Sequence, residues 1–121
     1  MAKLFSDLEE IFSRYCKNKH VADVGGMSTD GAGTFAIRLM VRHAASVCCI
    51  DAIHNPSLDL SGIEFIQSRL EDLDISRKFE VIFCGEIIEH IANQESFVKS
   101  VIRLLAPHGK LIITTPNSTS I

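Results

Sequence analysis

Hydrophobic positions along the chain follow two different spacings. Between residues 4 and 16, Leu4, Phe5, Leu8, Ile11, Phe12 and Tyr15 recur at helical intervals, and Ser6-Asp7-Leu8-Glu9 has the form of a capping box, which predicts an amphipathic leading helix. From residue 21 the pattern changes to short continuous apolar runs. Val21 to Val24, Val47 to Ile50, Ile63 to Gln67, Glu80 to Cys84 and Lys110 to Thr114 read as five strands. Between the first two, Thr34 to Arg42 returns to a helical period through Phe35, Ile37, Leu39, Met40 and Val41. After the fourth, Ile87, Ile88, Ile91, Phe97, Val98, Val101, Ile102, Leu104 and Leu105 predict a helix, or a helix pair broken near Asn93. Glu71-Asp72-Leu73-Asp74 reads as a loop or short helix, Pro107-His108-Gly109 as a turn, and Pro116 stops the fifth strand.

Strands alternating with helices predict an α/β fold: a doubly wound, Rossmann-like parallel sheet of five strands in order 3-2-1-4-5, with helices on both faces. Runs such as Val47-Cys48-Cys49-Ile50, Val81-Ile82-Phe83-Cys84 and Leu111-Ile112-Ile113 fit strands buried on both faces. Such a sheet binds its ligand at the carboxyl ends of the strands, where the strand order reverses. The glycine-rich segment after the first strand is expected there.

With 121 residues, 46% of them hydrophobic, the chain supports one domain, a leading helix over 1–20 and a core over 21–117. No apolar run is long enough to span a bilayer. Met1-Ala2-Lys3-Leu4 lacks the features of a signal peptide, so the expected location is cytoplasmic. Cys16, Cys48, Cys49 and Cys84 form no disulfide framework, and the adjacent pair points to opposite faces of its strand; buried reduced thiols are expected. A net charge of −3 with scattered Lys and Arg leaves no electrostatic footprint for nucleic acid, which favours a small-molecule partner.

Two constellations point to a nucleoside ligand. Asp23 to Ala36, DVGGMSTDGAGTFA, follows a strand and opens a helix, so its glycines allow close backbone approach and the helix start offers unpaired N–H groups. Gly31-Ala32-Gly33-Thr34-Phe35-Ala36 also satisfies the dinucleotide pattern G-x-G-x-x-A. Asp51 ends the second strand, and a carboxylate there can accept two hydrogen bonds from a ribose diol. That serves NAD and S-adenosylmethionine equally well.

The runs FEVIFCGEIIEHI (Phe79 to Ile91) and VIRLLAPHGKLIITTPN (Val101 to Asn117) separate the two. They resemble the class I S-adenosylmethionine-dependent methyltransferases, particularly the small-molecule and ubiquinone-type group, and the likeness extends from about Val21 to Asn117. The resemblance implies that Asp23, Gly25 and Gly26, with Gly31 and Gly33, surround the methionine part of S-adenosylmethionine or S-adenosylhomocysteine. It implies that Asp51 holds the ribose hydroxyls, that Ala52 lies against the adenine, and that Leu70, Glu71 or Asp72 meets the adenine edge. Cys84, Gly85 and Glu86 would border the methionine amine and the transferring methyl group. Two positions depart from the family pattern. About four residues are inserted between the first and second glycines of the motif, and Ser68-Arg69 stands where the family usually has Gly-Asp. A guanidinium cannot accept a hydrogen bond from the adenine amino group.

Glu86, Glu89 and His90 share one face of a helix at i, i+3 and i+4 and are the candidate catalytic residues. Small-RNA methyltransferases use a comparable pattern for metal with a further histidine, which this sequence lacks, so no metal site is expected. In the full family fold two more strands follow, forming a hairpin beside the fifth. The chain is therefore expected to be C-terminally incomplete, with an open strand edge able to pair with a second copy. A cofactor-fold module without catalysis, and a nicotinamide-dependent oxidoreductase, are the competing readings.

Overall fold

The computed structural model describes residues 2–26, 31–54, 56, 59–85 and 91–114, with side chains from residue 7 in the first helix and residue 36 in the second. The elements run α1 (Ala2–Tyr15), β1 (His20–Val24), α2 (Gly31–His43), β2 (Ser46–Asp51), β3 (Glu64–Gln67), a 3-10 turn (Leu70–Asp72), β4 (Phe79–Gly85), α3 (Gln94–Leu104) and β5 (Leu105–Thr114). All pairings are parallel, and the spatial order is β3-β2-β1-β4-β5, as the alternation of strands and helices predicts.

Period-two alternation divides the core into two layers. Val21, Val47, Cys49, Val81 and Phe83 face Leu8 and Phe12 of α1 and Ile37 and Met40 of α2. Ala22, Val24, Cys48, Ile50, Ile82 and Cys84 face Phe97, Val101 and Leu104 of α3, with Leu70 and Leu73 closing that side. Cys48 and Cys49 thus lie on opposite faces, and all four cysteines are free and buried. On the first face, Phe12 meets Phe83 edge-on, with ring centres 5.1 Å apart.

Several boundaries differ from the sequence expectation. Helix α1 begins at Ala2, so Ser6 lies inside the helix rather than at its cap; Ala2-Lys3-Leu4 are good helix formers and extend it backwards. Helix α2 begins at Gly31, which places Gly31 and Gly33 in its first turn instead of in the preceding loop. The break expected near Asn93 is a helix start: the Asn93 side chain accepts a hydrogen bond from the Ser96 N–H at 3.0 Å, capping α3.

The expected Pro107-His108-Gly109 turn falls within the bounds of β5. Phe79 pairs with Leu105 but Val81 with Lys110, so the segment between is a bulge in which His108 takes a left-handed φ of 63°. A side chain at Gly109 would meet the Ala106 carbonyl at 2.8 Å, which is why the bulge closes on glycine. Leu111-Ile112-Ile113 is not buried on both faces as expected. Leu111 and Ile112 are half-buried and Ile113 is 40% exposed, because β5 is the outermost strand of the described sheet.

Candidate functional site

The strand order reverses between β1 and β4, and the carboxyl ends of β1, β2 and β4 converge there. Asp23 sits in β1 one residue before its end, opposite Cys49 of β2 and Phe83 of β4. It is 1% exposed, on the face covered by α1 and α2. Asp51 ends β2 two residues beyond Cys49, so the two carboxylates lie on the same face of adjacent strands.

Their surroundings differ. Asp23 receives the Gly26 backbone N–H, while its Oδ2 is buried and has no hydrogen-bond partner among the described residues. Burial, reinforced by the negative charge of Asp51, pushes its carboxyl up to about 7, and the Gly26 hydrogen bond only partly opposes this. Asp51 is half-buried, and its Oδ1 accepts the Ile53 N–H at 3.0 Å. That bond folds the chain after β2 into a tight turn and fixes the carboxylate.

The glycines explain how backbone and carboxylate fit together. Gly25 leaves β1 with a φ of 82°, a conformation that favours glycine, and its N–H still bonds to the Ile50 carbonyl of β2 at 3.0 Å. A Cβ on Gly26 would stand 1.9 Å from Asp23 Oδ2. Any side chain there would displace the carboxylate.

On the β2 and β3 side, the Ser68 N–H bonds to the Asp51 carbonyl at 2.9 Å, and the Gln67 side-chain amide donates to the Ala52 carbonyl at 3.2 Å. Ala52 is exposed beside Ile53, which is 62% exposed and was not among the residues singled out from sequence. An apolar side chain two residues beyond Asp51 is the signal that would have found it. Leu70 is buried in the second core layer, so its side chain serves packing. Arg69 is not free to replace an acid: its Nη2 binds Glu71 Oε2 at 2.9 Å, leaving Asp72 as the exposed carboxylate of that turn. The Cys84 thiol is buried on the α3 face, opposite to Asp23. Only the backbone of Cys84 and Gly85 can therefore border the crevice from β4. Glu86, Glu89 and His90 lie outside the described residues. No group of three metal-ligating side chains occurs among the described residues.

A buried carboxyl oxygen with no partner among the described residues, beside a glycine whose Cβ would collide with it, suits a ligand with a cationic amine. Asp51, at the neighbouring strand end, suits a diol.

A methyltransferase-domain family model matches residues 17–120, and the chain belongs to that family. Among curated proteins it is 28% identical over 116 residues to the ubiquinone biosynthesis O-methyltransferase of Rickettsia akari (strain Hartford), covering 89% of this chain and 44% of that protein. The corresponding Rickettsia bellii (strain OSU 85-389) protein is 28% identical over 123 residues, with 93% and 49% covered. The chain thus spans about half the length of these relatives. Among solved structures, the N-methyltransferase NodS of Bradyrhizobium japonicum WM9 in complex with S-adenosyl-L-homocysteine superposes with a TM-score of 0.75 at 14% identity, covering 93% of this chain and 60% of that one. At that identity the likeness shows the shared fold alone.

Proposed function

We propose that this chain is the cofactor-binding part of an S-adenosylmethionine-dependent methyltransferase acting on a small molecule. The observation that carries this reading is the pair of carboxylates, Asp23 and Asp51, on one face of adjacent strand ends at the reversal of strand order. Asp23, whose Oδ2 has no partner among the described residues, would receive the methionine ammonium group, and Asp51 the ribose hydroxyls. Gly25 and Gly26, with the helix start at Gly31 and Gly33, would allow close backbone approach to the methionine moiety. Ala52 and Ile53 would lie against the adenine, and Asp72, with the backbone of Leu70 and Glu71, would meet its edge.

The bound sulfonium supplies an already activated methyl group. The protein's task is then to hold the acceptor in line with it, which can by itself account for a large share of the barrier reduction. Glu86, Glu89 and His90, following β4, are the proposed residues on the acceptor side. The relatives' names favour an oxygen nucleophile on a small molecule of the ubiquinone-precursor class. No described helix is long and apolar enough to cross a membrane, and the four free, buried cysteines support a cytoplasmic setting. Self-association through the outer edge of β5 belongs to the same reading.

Calorimetric titration of the chain with S-adenosylhomocysteine, S-adenosylmethionine and NAD tests the assignment. Saturable binding of the first two is expected, and tighter binding of NAD would overturn it.

A further inference from the structure

We propose that Asp23 exchanges a proton for the cofactor's ammonium group, so that cofactor binding releases one proton to solvent and is weakened by acid. This rests on the reading that the crevice takes S-adenosylmethionine and its demethylated product, and it concerns the ionisation state of the free protein.

The described residues offer Asp23 little that would stabilise a negative charge. The carboxyl is 1% exposed, one oxygen receives the Gly26 N–H, and the other is buried without a partner among the described residues. On its own face β2 contributes Asp51 and the Cys49 thiol, and the Cys84 thiol of β4, buried on the opposite face, is near enough to feel its charge. One of these is an acid, and burial and nearby negative charge hold both thiols in the protonated form. On the two helices that cover this face, His43 of α2 is engaged with Glu9 of α1 at 3.0 Å, and Arg38 of α2 with Asp59 at 3.3 Å. No described cation pairs with Asp23.

A buried carboxyl so placed keeps its proton through the acidic side of neutrality, with the midpoint at about 7. An ammonium group brought to the free oxygen reverses the balance, because the charge-assisted hydrogen bond it makes favours the carboxylate. The proton leaves to buffer as the ammonium arrives, and the net charge of the buried site changes little. Gly26 is part of this device, since any side chain there would occupy the position of the oxygen that must ionise.

The test is titration calorimetry with S-adenosylhomocysteine, whose amine stays protonated through the window, at pH 6 to 8 in two buffers of different ionisation enthalpy. Proton release is expected to be close to one per complex near pH 6 and close to zero near pH 8, with affinity about tenfold weaker at the lower pH. 5′-Methylthioadenosine, which keeps the nucleoside but lacks the amine, should bind with no proton release and flat affinity. Asp23→Asn, isosteric with the protonated acid, should bind S-adenosylhomocysteine weakly and without pH dependence. PH-independent affinity and no proton release in the unaltered chain, or equal proton release with 5′-methylthioadenosine, would overturn the exchange while leaving the cofactor assignment intact. Absence of binding at every pH would instead overturn the assignment.

Discussion

Strands β1 and β5 both carry branched apolar residues, Val21 and Val24 in one and Leu111, Ile112 and Ile113 in the other, yet they occupy opposite situations. In β1, every residue after His20 is buried, with β2 and β4 alongside and helices over both faces. In β5, no residue of Leu105–Thr114 is fully buried, and neighbouring strand pairing is described on one side only. Topological position, rather than a strand's own hydrophobicity, decides how much water is excluded. The same acidic side chain would be ordinary in β5. In β1 it becomes a carboxyl whose protonation is governed by burial, and this is where the candidate chemistry resides.

The largest effect that would sharpen this contrast is a cavity in the centre of the sheet. Phe83 of β4 is 2% exposed and packs edge-on against Phe12. Phe83→Ala should lose about 3–5 kcal/mol of stability in urea unfolding, the usual cost of removing a buried ring. Ile113→Ala at the edge should lose far less. Equal losses would show that β5 is as enclosed as the central strands.

Next in size is ligand binding at the end of β2. Asp51→Ala should weaken S-adenosylhomocysteine binding by about 1.5–3 kcal/mol, the scale of hydrogen bonds to a charged group, as read by calorimetry. Unchanged affinity would mean that the ribose is held elsewhere.

The third effect is pH-dependent stability. The folded-state carboxyl of Asp23 is raised from 3.8 to about 7, so the folded chain binds this proton more tightly than the unfolded chain does. The group's contribution is therefore most favourable below pH 4, is lost as pH rises towards 7, and is constant above that. Asp23→Asn keeps the shape without the ionisation. It should be about 1–3 kcal/mol more stable than the unaltered chain at pH 8 and nearly equal at pH 4, by denaturant unfolding without ligand. A difference independent of pH would mean that Asp23 is ionised throughout.

The fold was legible in the sequence because strand and helix periods alternate cleanly, and the position of Asp51 at the end of β2 was legible because it closes the apolar run Val47 to Ile50. Other features depend on three-dimensional neighbours that a run of residues does not display. Helix propensity could not show that the Gly31 to Thr34 turn is already helical, since two glycines there argue against it. The segment Pro107 to Gly109 was read as a turn, and its absorption into β5 as a bulge follows from pairing with Phe79 and Val81. Cys84 and Leu70 were associated with the crevice by position along the chain. Strand alternation and packing send both side chains into the opposite layer. That Asp23 Oδ2 is buried with no partner among the described residues had no sequence signal beyond the acid itself.

The smallest expected effect on stability concerns the outer edge of β5. Ile113 projects beside a groove formed with Tyr15, Lys110, Leu111 and Ile112. Edge strands in soluble proteins are commonly protected by charge, proline or a covering element, because their outward N–H and C=O groups template further pairing. Lys110 is the charged residue among Lys110 to Thr114, and three apolar residues follow it. Ile113→Lys places a second charge at this edge without opening a cavity, because the side chain is already 40% exposed. Folding stability of the dilute protein should change by less than about 0.5 kcal/mol. Association should respond far more strongly: if copies pair along β5, sedimentation velocity across a concentration series should show a dimer for the unaltered chain and a monomer for Ile113→Lys. A monomer for both at high concentration, with rapid amide exchange along Leu111 to Thr114, would refute pairing through this edge. A dimer that survives the substitution would place the interface elsewhere.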